Sequence, residues 1–410
     1  MVENKKQLPL AGIRVIELAT VVAAPTAGRL LADYGAEVIK VETPGAGDLQ
    51  RYVGDAHQLP IEKGNNPLFD TFNAGKRLTA INLKTEGGMA VMKKLLATAD
   101  VFISNVRMPS LVKMGLGYDD LKEDFPQLIY AHFSGFGLKG RDVNKPGFDM
   151  SAYWLRCGMT FDWVTKGSFP MRATYGFGDI ATSGYLVSGI LMAIIGRQTS
   201  GRGTFLSVSL LGCGVWQNTT HVVNTQKKYG RKLPVDRYDP WDPFSDFYQC
   251  GDGKWAAIVK KNYAKDKASF AKIFNFPELL TDERYASLSS MRKAGLVGEC
   301  VRRVEEAMLT KPRDEWEQIF KEVDIPFECA HTSSDVWQDD QVWANGYLEN
   351  VDYGDGEPTA VPTPPIQFDN FGRRAFTKEG EVGADTDVIL DELGYSAEDI
   401  AALKAARCCS

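Results

Sequence analysis

One aspartate stands where a carboxylate could act as a nucleophile. Asp179 directly follows Gly178 in the segment Tyr175–Gly184 (YGFGDIATSG), at the mouth of an apolar helix. The N–H groups of a helix start, with the hydroxyls of Thr182 and Ser183, could stabilise a carboxylate and an oxyanion formed beside it. Carboxylates can form covalent intermediates, but an aspartate before a helix is also a common N-cap. From the residues alone, both interpretations of Asp179 stay open.

The elements that must position this aspartate alternate between strands and helices. The pattern predicts strands at Ile13–Ala19 and Glu37–Glu42, joined by a helix that ends near Gly35. Further predicted elements are strands at Thr79–Leu83, Val101–Ser104 and Leu128–Ser134 and a helix at Gly88–Ala97. This alternation indicates an α/β fold with an open parallel Rossmann-like sheet and helices on both faces. Ligands of such sheets usually bind beyond the carboxyl ends of the strands.

Changes in composition divide the chain into three parts. We predict a large Rossmann-like domain over residues 1–226, a smaller α+β domain over 227–325, and a segment over 326–410 that returns to the large domain. Within the small domain, Phe247–Val259 predicts a β-hairpin. Near the end of the chain, Thr386–Ala406 predicts two amphipathic helices.

One apolar run could be mistaken for a membrane span. Tyr185–Gly196 is shorter than the roughly 20 residues that a span requires, so we expect a buried helix and no membrane association. The N-terminal residues lack a signal-peptide core, which favours a cytoplasmic location.

Composition excludes several other classes of function. The chain has 47 basic and 53 acidic residues, a net charge of −6 and no basic stripe, so nucleic-acid binding is not expected. The four histidines are not spaced like a zinc site, so no metal is expected. The seven cysteines include no CxxC pair and indicate reduced thiols. Cys408 and Cys409 are expected to be surface thiols in a mobile tail.

The order of short segments along the whole chain resembles one family of enzymes, the class III CoA-transferases, which include formyl-CoA transferase and carnitine CoA-transferase. The matching segments, in chain order, are GIRVIELATVVAAP, AEVIKVE, NAGKRLTAINLK, SNVRMPSLVKMGLGYDDL, SGFG, PGFD, FGD, GRG, DGKW, DIPF and ELGYS. No single segment is specific, but their order makes coincidence very improbable. The resemblance implies a dimer of interlocked subunits.

In that family the aspartate after a glycine is the nucleophile, and this role falls on Asp179. The resemblance implies that Asp179 attacks an acyl-CoA to give a mixed anhydride and then carries CoA as an aspartyl thioester. A free carboxylic acid finally takes the CoA. Coenzyme A is therefore expected as substrate and covalent intermediate, with no tightly bound cofactor. Both intermediates hydrolyse, so water must be kept out.

The resemblance also implies residues along the CoA path. They are Val22, Ala23, Lys84, Asn105, Arg107 and Lys113, and the basic residues Lys76 and Arg77 are candidate additional contacts. The basic members suit the phosphates of CoA. Taken singly, a basic residue is more often a solvated surface charge, and the positions of Lys84, Asn105 and Arg107 at strand ends favour binding. Thr43 and Pro44 stand where formyl-CoA transferase has a basic residue, which leaves that nucleotide contact in doubt.

The segment around Asp149 is the candidate substrate site. Phe148, Asp149 and Tyr153 are expected to contact substrate, and Asp149 could instead make a structural hydrogen bond. Aromatic residues near them could form a dry wall or an ordinary core; these are Phe148, Tyr153, Trp154, Phe161 and Trp163. The glycine run that covers the site of formyl-CoA transferase is absent, which argues against oxalate as the acceptor.

Three rival functions remain on the same fold. An α-methylacyl-CoA racemase would need a histidine where this chain has Phe148, and phenylalanine cannot take a proton. A non-catalytic CoA-binding protein is a second alternative, and a thioesterase a third.

Three segments, PGFDMSAYW, PRDEW and DDQVWANGYL, resemble transferases of amino-acid fermentation. These exchange CoA between 2-enoyl-CoAs and (R)-2-hydroxy acids such as phenyllactate or 2-hydroxyisocaproate. A 2-hydroxyacyl-CoA dehydratase would then be a pathway partner.

Overall fold

Long-range contacts divide the chain into two compact units. The computed structural model describes residues 7–260 and 262–410. The first unit comprises the residues up to 159 with 172–223 and 340–410, and the second comprises 160–171 and 224–339. Composition predicts limits after 226 and after 325, whereas contacts divide the chain after 223 and after 339 and add 160–171 to the second unit.

The first unit is built on a six-stranded parallel sheet. Its strands are β1 Arg14–Leu18, β2 Glu37–Glu42, β3 Arg77–Ala80, β4 Val101–Ser104, β5 Ile129–Ser134 and β6 Phe205–Ser209. They lie in the order β3-β2-β1-β4-β5-β6. This confirms the predicted α/β class and open parallel sheet. The order reverses between β1 and β4, and the crevice beyond their carboxyl ends is the expected ligand site of such a fold.

Helices connect and cover these strands. The helices up to residue 224 are α1 Ala23–Asp33, α2 Gln50–Val53, α3 Pro67–Asn73, α4 Glu86–Ala97, α5 Met108–Lys113, α6 Tyr118–Leu121, α7 Met159–Asp162, α8 Phe177–Ser200, α9 Leu210–Gln217 and α10 Thr219–Asn224. Side chains of α4 pack on Ile16, Phe102 and Tyr130 in one buried core. Helix α1 packs on β1, β2 and β4, and α8 packs on β5 and β6. The two helices also pack on each other, and α8 packs on α9. A turn of 3-10 helix covers Gly54–His57, and a π-helical segment covers Asp149–Leu155.

Helix α8 contains the apolar run. The sequence predicts that this run is buried, but in a single chain part of it is exposed. Leu186 and Ile190 are buried, whereas Met192 is 70% exposed and Ile195 is 65% exposed. Its length and composition would suit a membrane span, but the core helix of a globular protein passes the same test. Because α8 packs on β5 and β6, we interpret it as a core helix with one uncovered apolar face.

The second unit has its own sheet and core. Strands β7 Phe247–Gln249, β8 Trp255–Ile258 and β9 Phe327–Cys329 form an antiparallel sheet, which confirms the predicted hairpin. The remaining helices of the chain are α11 Tyr263–Ile273, α12 Glu278–Thr281, α13 Leu288–Lys293, α14 Val297–Met308, α15 Arg313–Glu322, α16 Ser333–Val336, α17 Asp340–Ala344, α18 Thr386–Glu392 and α19 Ala397–Ala405. A second 3-10 turn covers Glu283–Tyr285. Stacked rings such as Phe244 on Phe270 fill the core of this unit.

The C-terminal segment returns to the first unit, and its last residues are anchored there. Strands β10 Leu348–Val351 and β11 Thr359–Pro362 form an antiparallel pair, and α18 and α19 are the two predicted helices. Beyond them, Cys409 pairs with Ile81 beside β3, and the N–H of Asn82 donates to the carbonyl of Cys408. Cys408 and Cys409 are buried, so the expectation of surface thiols in a mobile tail is wrong. Pairing with a sheet edge depends on distant residues and leaves no local pattern.

Candidate active site

The start of α8 presents Asp179 without using it as a cap. Gly176 occupies the N-cap position with φ +71° and has no side chain that could cap the helix. Asp179 is the third helical residue, and among the described residues no hydrogen bond holds its carboxylate. The N-cap interpretation therefore fails. The carboxylate remains available for chemistry at the positive end of a 24-residue helix.

Asp149 performs the capping that the sequence suggested for Asp179. Its Oδ1 accepts a hydrogen bond of 3.1 Å from the N–H of Gly178, and the N–H of Gly176 also stabilises its charge. Asp149 opens the π-helical segment Asp149–Leu155 and is only 9% exposed. A residue 29 positions earlier thus satisfies one of the free N–H donors of this helix.

Gly178 allows this approach because it has no side chain. A Cβ atom there would lie 2.5 Å from Cδ1 of Tyr153 and closer still to Oδ1 of Asp149. At Gly176, a Cβ would lie 3.2 Å from Cγ1 of Val22. The glycines before Asp179 therefore bring Asp149, Tyr153 and Val22 against the start of the helix.

Burial raises the proton affinity of both carboxylates, and the charge of Asp149 raises that of Asp179 further. Burial, followed by the charge of Asp149, raises the pKa of Asp179 to about 7. Burial raises the pKa of Asp149 to about 6, although the N–H groups of Gly178 and Gly176 oppose that change. Close like charges are costly to ionise together. Asp179 therefore carries its charge fully only above neutral pH, and Asp149 ionises first.

Tyr175 is a site residue that sequence reasoning missed. Its hydroxyl donates a hydrogen bond of 2.8 Å to Oε1 of Gln50, and its ring lies 4.6 Å from the ring of His57. Burial and the neighbouring Asp179 raise the pKa of its phenol to about 12. Tyr175 belongs to the segment that drew attention to Asp179, but nothing in the sequence indicated that Gln50, 125 positions away, would hold it.

A buried ion-pair network fixes the loops around this site. Nζ of Lys40 lies 2.8 Å from Oδ2 of Asp48 and 3.0 Å from Oε1 of Glu17. Oδ1 of Asp48 accepts from the N–H groups of Val21 and Gln50 at 2.8 and 2.9 Å. Val21 has φ +71°, which is strained for a β-branched residue. One carboxylate thus holds both the strained turn after β1 and the residue that binds Tyr175.

Lys76 and Arg77 have protein partners, so we do not assign them to CoA. Nζ of Lys76 is buried and lies 2.8 Å from Oε2 of Glu17. Arg77 begins β3 and pairs with Glu37 and Glu392, near the amino ends of the strands. Both side chains therefore have carboxylate partners within the protein and need no ligand. The sequence did not reveal these partners.

Val22 and Asn105 lie at the reversal point between β1 and β4. Val22 is buried against Gly176, and Ala23 beside it is also buried. The side chain of Asn105 accepts from the N–H of Thr20 at 3.1 Å and donates to its carbonyl at 2.7 Å. Asn105 therefore joins the two loops that line the crevice.

Three predicted cations follow the carboxyl ends of strands β3 and β4 along the chain. Lys84 follows β3, while Arg107 precedes α5 and Lys113 ends it. All three are exposed, and no ion pair holds any of them within the described part of the chain. Their charge is free to meet an anionic ligand.

The aromatic wall is brought together only in part. Tyr153 and Trp154 are buried, the hydroxyl of Tyr153 donates to Oε1 of Gln217, and the ring of Trp154 lies 5.4 Å from that of Phe177. Phe148 is 63% exposed. Phe161 and Trp163 belong to the second unit.

This arrangement suits nucleophilic carboxylate chemistry. Asp179 is unbonded, partly desolvated and next to the donors of a helix start, which can stabilise an oxyanion. Residues 7–260 and 262–410 contain no group of three or more acidic, His or Cys side chains that could hold a metal ion. Phe148 supplies no second base beside Asp149.

Comparisons with known proteins agree with this chemistry. The family model described as CoA-transferase family III matches residues 10–386. The chain is 37% identical to the (R)-2-hydroxy-4-methylpentanoate CoA-transferase of Clostridioides difficile, over 95% of this chain and 97% of the relative. It is 35% identical to the cinnamoyl-CoA:phenyllactate CoA-transferase of Clostridium sporogenes, over 98% and 97%. The crystal structure of a CAIB/BAIF family protein from Brucella suis superposes with a TM-score of 0.78 at 28% identity, over 95% and 100%.

Proposed function

We propose a reaction for this chain from one premise: the chain belongs to CoA-transferase family III. It is an enzyme of that class, and its substrates are acyl-CoA thioesters and carboxylic acids. We infer that Asp179 is the nucleophile and that CoA passes through a covalent aspartyl intermediate. The observation that carries the proposal is the unbonded carboxylate of Asp179 at a helix start whose cap is supplied by Asp149.

Each step of the proposed cycle exchanges one bond for another. The Asp179 carboxylate attacks the thioester carbonyl, the C–S bond breaks, and CoA leaves as a thiolate from a mixed anhydride. The thiolate attacks the Asp179 carbonyl and releases the donor acid as its carboxylate. The acceptor carboxylate then attacks the aspartyl thioester and expels the thiolate, which attacks the acceptor acyl group and frees Asp179. No net proton is consumed, and the thioester bond is conserved.

The structure supports separate roles for the two aspartates. The N–H of Gly178 is held by Asp149, which keeps the first turn in place while Asp179 reacts. The raised pKa of Asp179 makes its ionised form a better nucleophile than an ordinary carboxylate, because basicity and nucleophilicity rise together. The oxyanion of each tetrahedral intermediate would lie at the positive end of α8.

We infer that CoA runs across the carboxyl edge of the sheet. Val22 would line its path beside the helix start, and Asn105 would position the crevice. The phosphates would meet Lys84, Arg107 and Lys113, since exposed cations without partners suit phosphate oxygens. We expect Arg107→Gln to raise the KM for acyl-CoA several-fold. Arg202→Gln is the matched control, because Arg202 precedes β6 at the opposite edge of the sheet; equal effects of the two changes would contradict this path.

We propose a 2-enoyl-CoA as donor and an (R)-2-hydroxy acid as acceptor. The two relatives described above are named for a 2-hydroxy acid, 2-hydroxy-4-methylpentanoate, and for the pair of cinnamoyl-CoA and phenyllactate. A dehydratase acting on the 2-hydroxyacyl-CoA would consume the product. We also propose that the enzyme is cytoplasmic. We propose a homodimer because the apolar side chains of Met192 and Ile195 on α8 are uncovered in one chain.

A transfer assay with a panel of acids tests the substrate class. Cinnamoyl-CoA is incubated with the enzyme and with phenyllactate, 2-hydroxy-4-methylpentanoate (both enantiomers), succinate or oxalate, and each new acyl-CoA is measured by chromatography. We expect transfer to the 2-hydroxy acids, with the (R) form preferred, and none by Asp179→Asn. Transfer to dicarboxylic acids alone would refute the substrate class. Hydrolysis without an acceptor would favour a thioesterase.

A further inference from the structure

Helix α8 begins beside a polar pair for which the reaction described above has no use. Tyr175 lies four residues before Asp179 and is 36% exposed, whereas its partner Gln50 is fully buried. The tyrosine hydroxyl donates to Oε1 of Gln50 at 2.8 Å. A phenol whose hydrogen is committed to a buried acceptor presents only its oxygen lone pairs to a ligand.

Three other hydroxyl groups near this helix start are already engaged. Thr182 donates to the carbonyl of Gly178, and Ser183 donates to the carbonyl of Ile180. The hydroxyl of Tyr153 is bonded to Gln217. Thr182, Ser183 and Tyr153 are buried, whereas Tyr175 is exposed and can contact a ligand.

Buried residues hold Gln50, and with it Tyr175, in place. The N–H of Gln50 donates to Asp48 at 2.9 Å, and Asp48 is fixed by its buried ion pair with Lys40. Nε2 of Gln50 is buried and has no partner within the described residues. An unpaired buried donor is unfavourable. The amide of Gln50 therefore accepts from Tyr175 in an arrangement that leaves its own N–H groups unpaired. The ring of His57 lies 4.6 Å from that of Tyr175 and limits its movement.

We propose that Tyr175, oriented by Gln50, recognises the 2-hydroxyl group of the acid that exchanges CoA. The inference rests on the proposed function and names the residue that sets its substrate class. An acceptor oxygen beside the nucleophile suits an alcohol, which donates a hydrogen bond. It does not attract the substrate carboxylate, so the carboxylate is left to react at Asp179. A site that bonds a substrate hydroxyl discriminates against the analogue that lacks it.

The test compares acids that differ only in the 2-hydroxyl group. For wild type and Tyr175→Phe, kcat/KM is measured with 2-hydroxy-4-methylpentanoate and with 4-methylpentanoate, using cinnamoyl-CoA as donor. We expect the preference for the hydroxy acid to fall about tenfold in Tyr175→Phe, as when one neutral hydrogen bond is lost. Gln50→Met, which removes the amide acceptor, should lower the same ratio by a smaller factor.

Tyr52→Phe is the matched control. Tyr52 is exposed and its hydroxyl donates to the carbonyl of Ala46 at 2.8 Å, so the same chemical change is made outside the site. Its preference ratio should equal that of wild type. A ratio unchanged in Tyr175→Phe, with both acids slowed alike, would overturn the role of Tyr175 while leaving the transferase intact. Failure of wild type to transfer CoA to any acid would instead remove the proposed function on which the inference rests.

Discussion

Replacement of Gly178 by alanine should disable the site while the protein stays folded. The new Cβ would lie 2.5 Å from Cδ1 of Tyr153, whereas ordinary van der Waals contact begins at 3.4 Å. Oδ1 of Asp149 would be even closer. Both neighbours must therefore retreat by about 1 Å, and the hydrogen bond from the N–H of Gly178 to Asp149 would be stretched or lost.

Two opposing contributions set the change in stability of Gly178→Ala, and the displacement of the site sets its loss of activity. Overpacking costs about 1–3 kcal/mol, but alanine is favoured over glycine within a helix by about 1 kcal/mol. The free energy of unfolding should therefore fall by no more than about 2 kcal/mol. A displacement of about 1 Å at a reacting centre lowers the rate about 100-fold, so kcat/KM of Gly178→Ala should fall by about that factor.

The assay measures kcat/KM for CoA transfer together with urea unfolding. Gly196→Ala in the same helix is the control, because a Cβ at Gly196 meets nothing within 4 Å. The control should keep wild-type activity and should be at least as stable. Wild-type activity in Gly178→Ala would show that close contact of Asp149 with the helix start is unimportant, and would refute the reasoning.

Three further predictions concern charge. The pKa of Asp179 is raised to about 7, so kcat/KM should fall as pH drops below 7. Between about pH 4 and 7 the folded state keeps a proton that the unfolded state releases, so stability falls as pH rises across that range and stays lower above it. Asp179→Asn lacks this loss, so its free energy of unfolding should gain on that of wild type from about pH 4 to 7 in urea titrations. A flat rate profile from pH 5 to 8 would contradict this. Asp149→Asn removes the neighbouring negative charge but can still accept from Gly178, so the acid limb of the pH–rate profile should move to lower pH. Lys40→Met leaves Asp48 without a cation and Glu17 with Lys76 alone, so it should lower the free energy of unfolding by about 3–5 kcal/mol in urea titration. A loss below about 1 kcal/mol would show that the network is not structural.

The inner strands of the sheet were largely predictable because they are short and buried on both faces. Glu37–Glu42 and Val101–Ser104 are rich in β-branched or aromatic residues, and their predicted bounds match the structure. The edge strand was less predictable: β3 begins at Arg77, and Ile81 instead pairs with Cys409. Local pattern determines a central strand well, whereas an edge depends on what the rest of the chain supplies.

The active site was predictable only in its central residue. Asp179 and Asp149 could both be named, but their division of labour depends on a hydrogen bond between residues 29 positions apart. The basic residues were harder to sort, because burial decides their role: Lys76 is neutralised by Glu17, while Arg107 is exposed. Tyr175 was missed because its partner is 125 positions away.

Covalent capture of CoA on Asp179 is the most direct test of the account. Wild type and Asp179→Asn are incubated with cinnamoyl-CoA, and intact masses and peptide masses are recorded before and after an acceptor acid is added. The account predicts a CoA adduct on the peptide that contains Asp179, in wild type only, which the acceptor acid discharges. A CoA adduct on another residue, or transfer by Asp179→Asn at the wild-type rate, would contradict it.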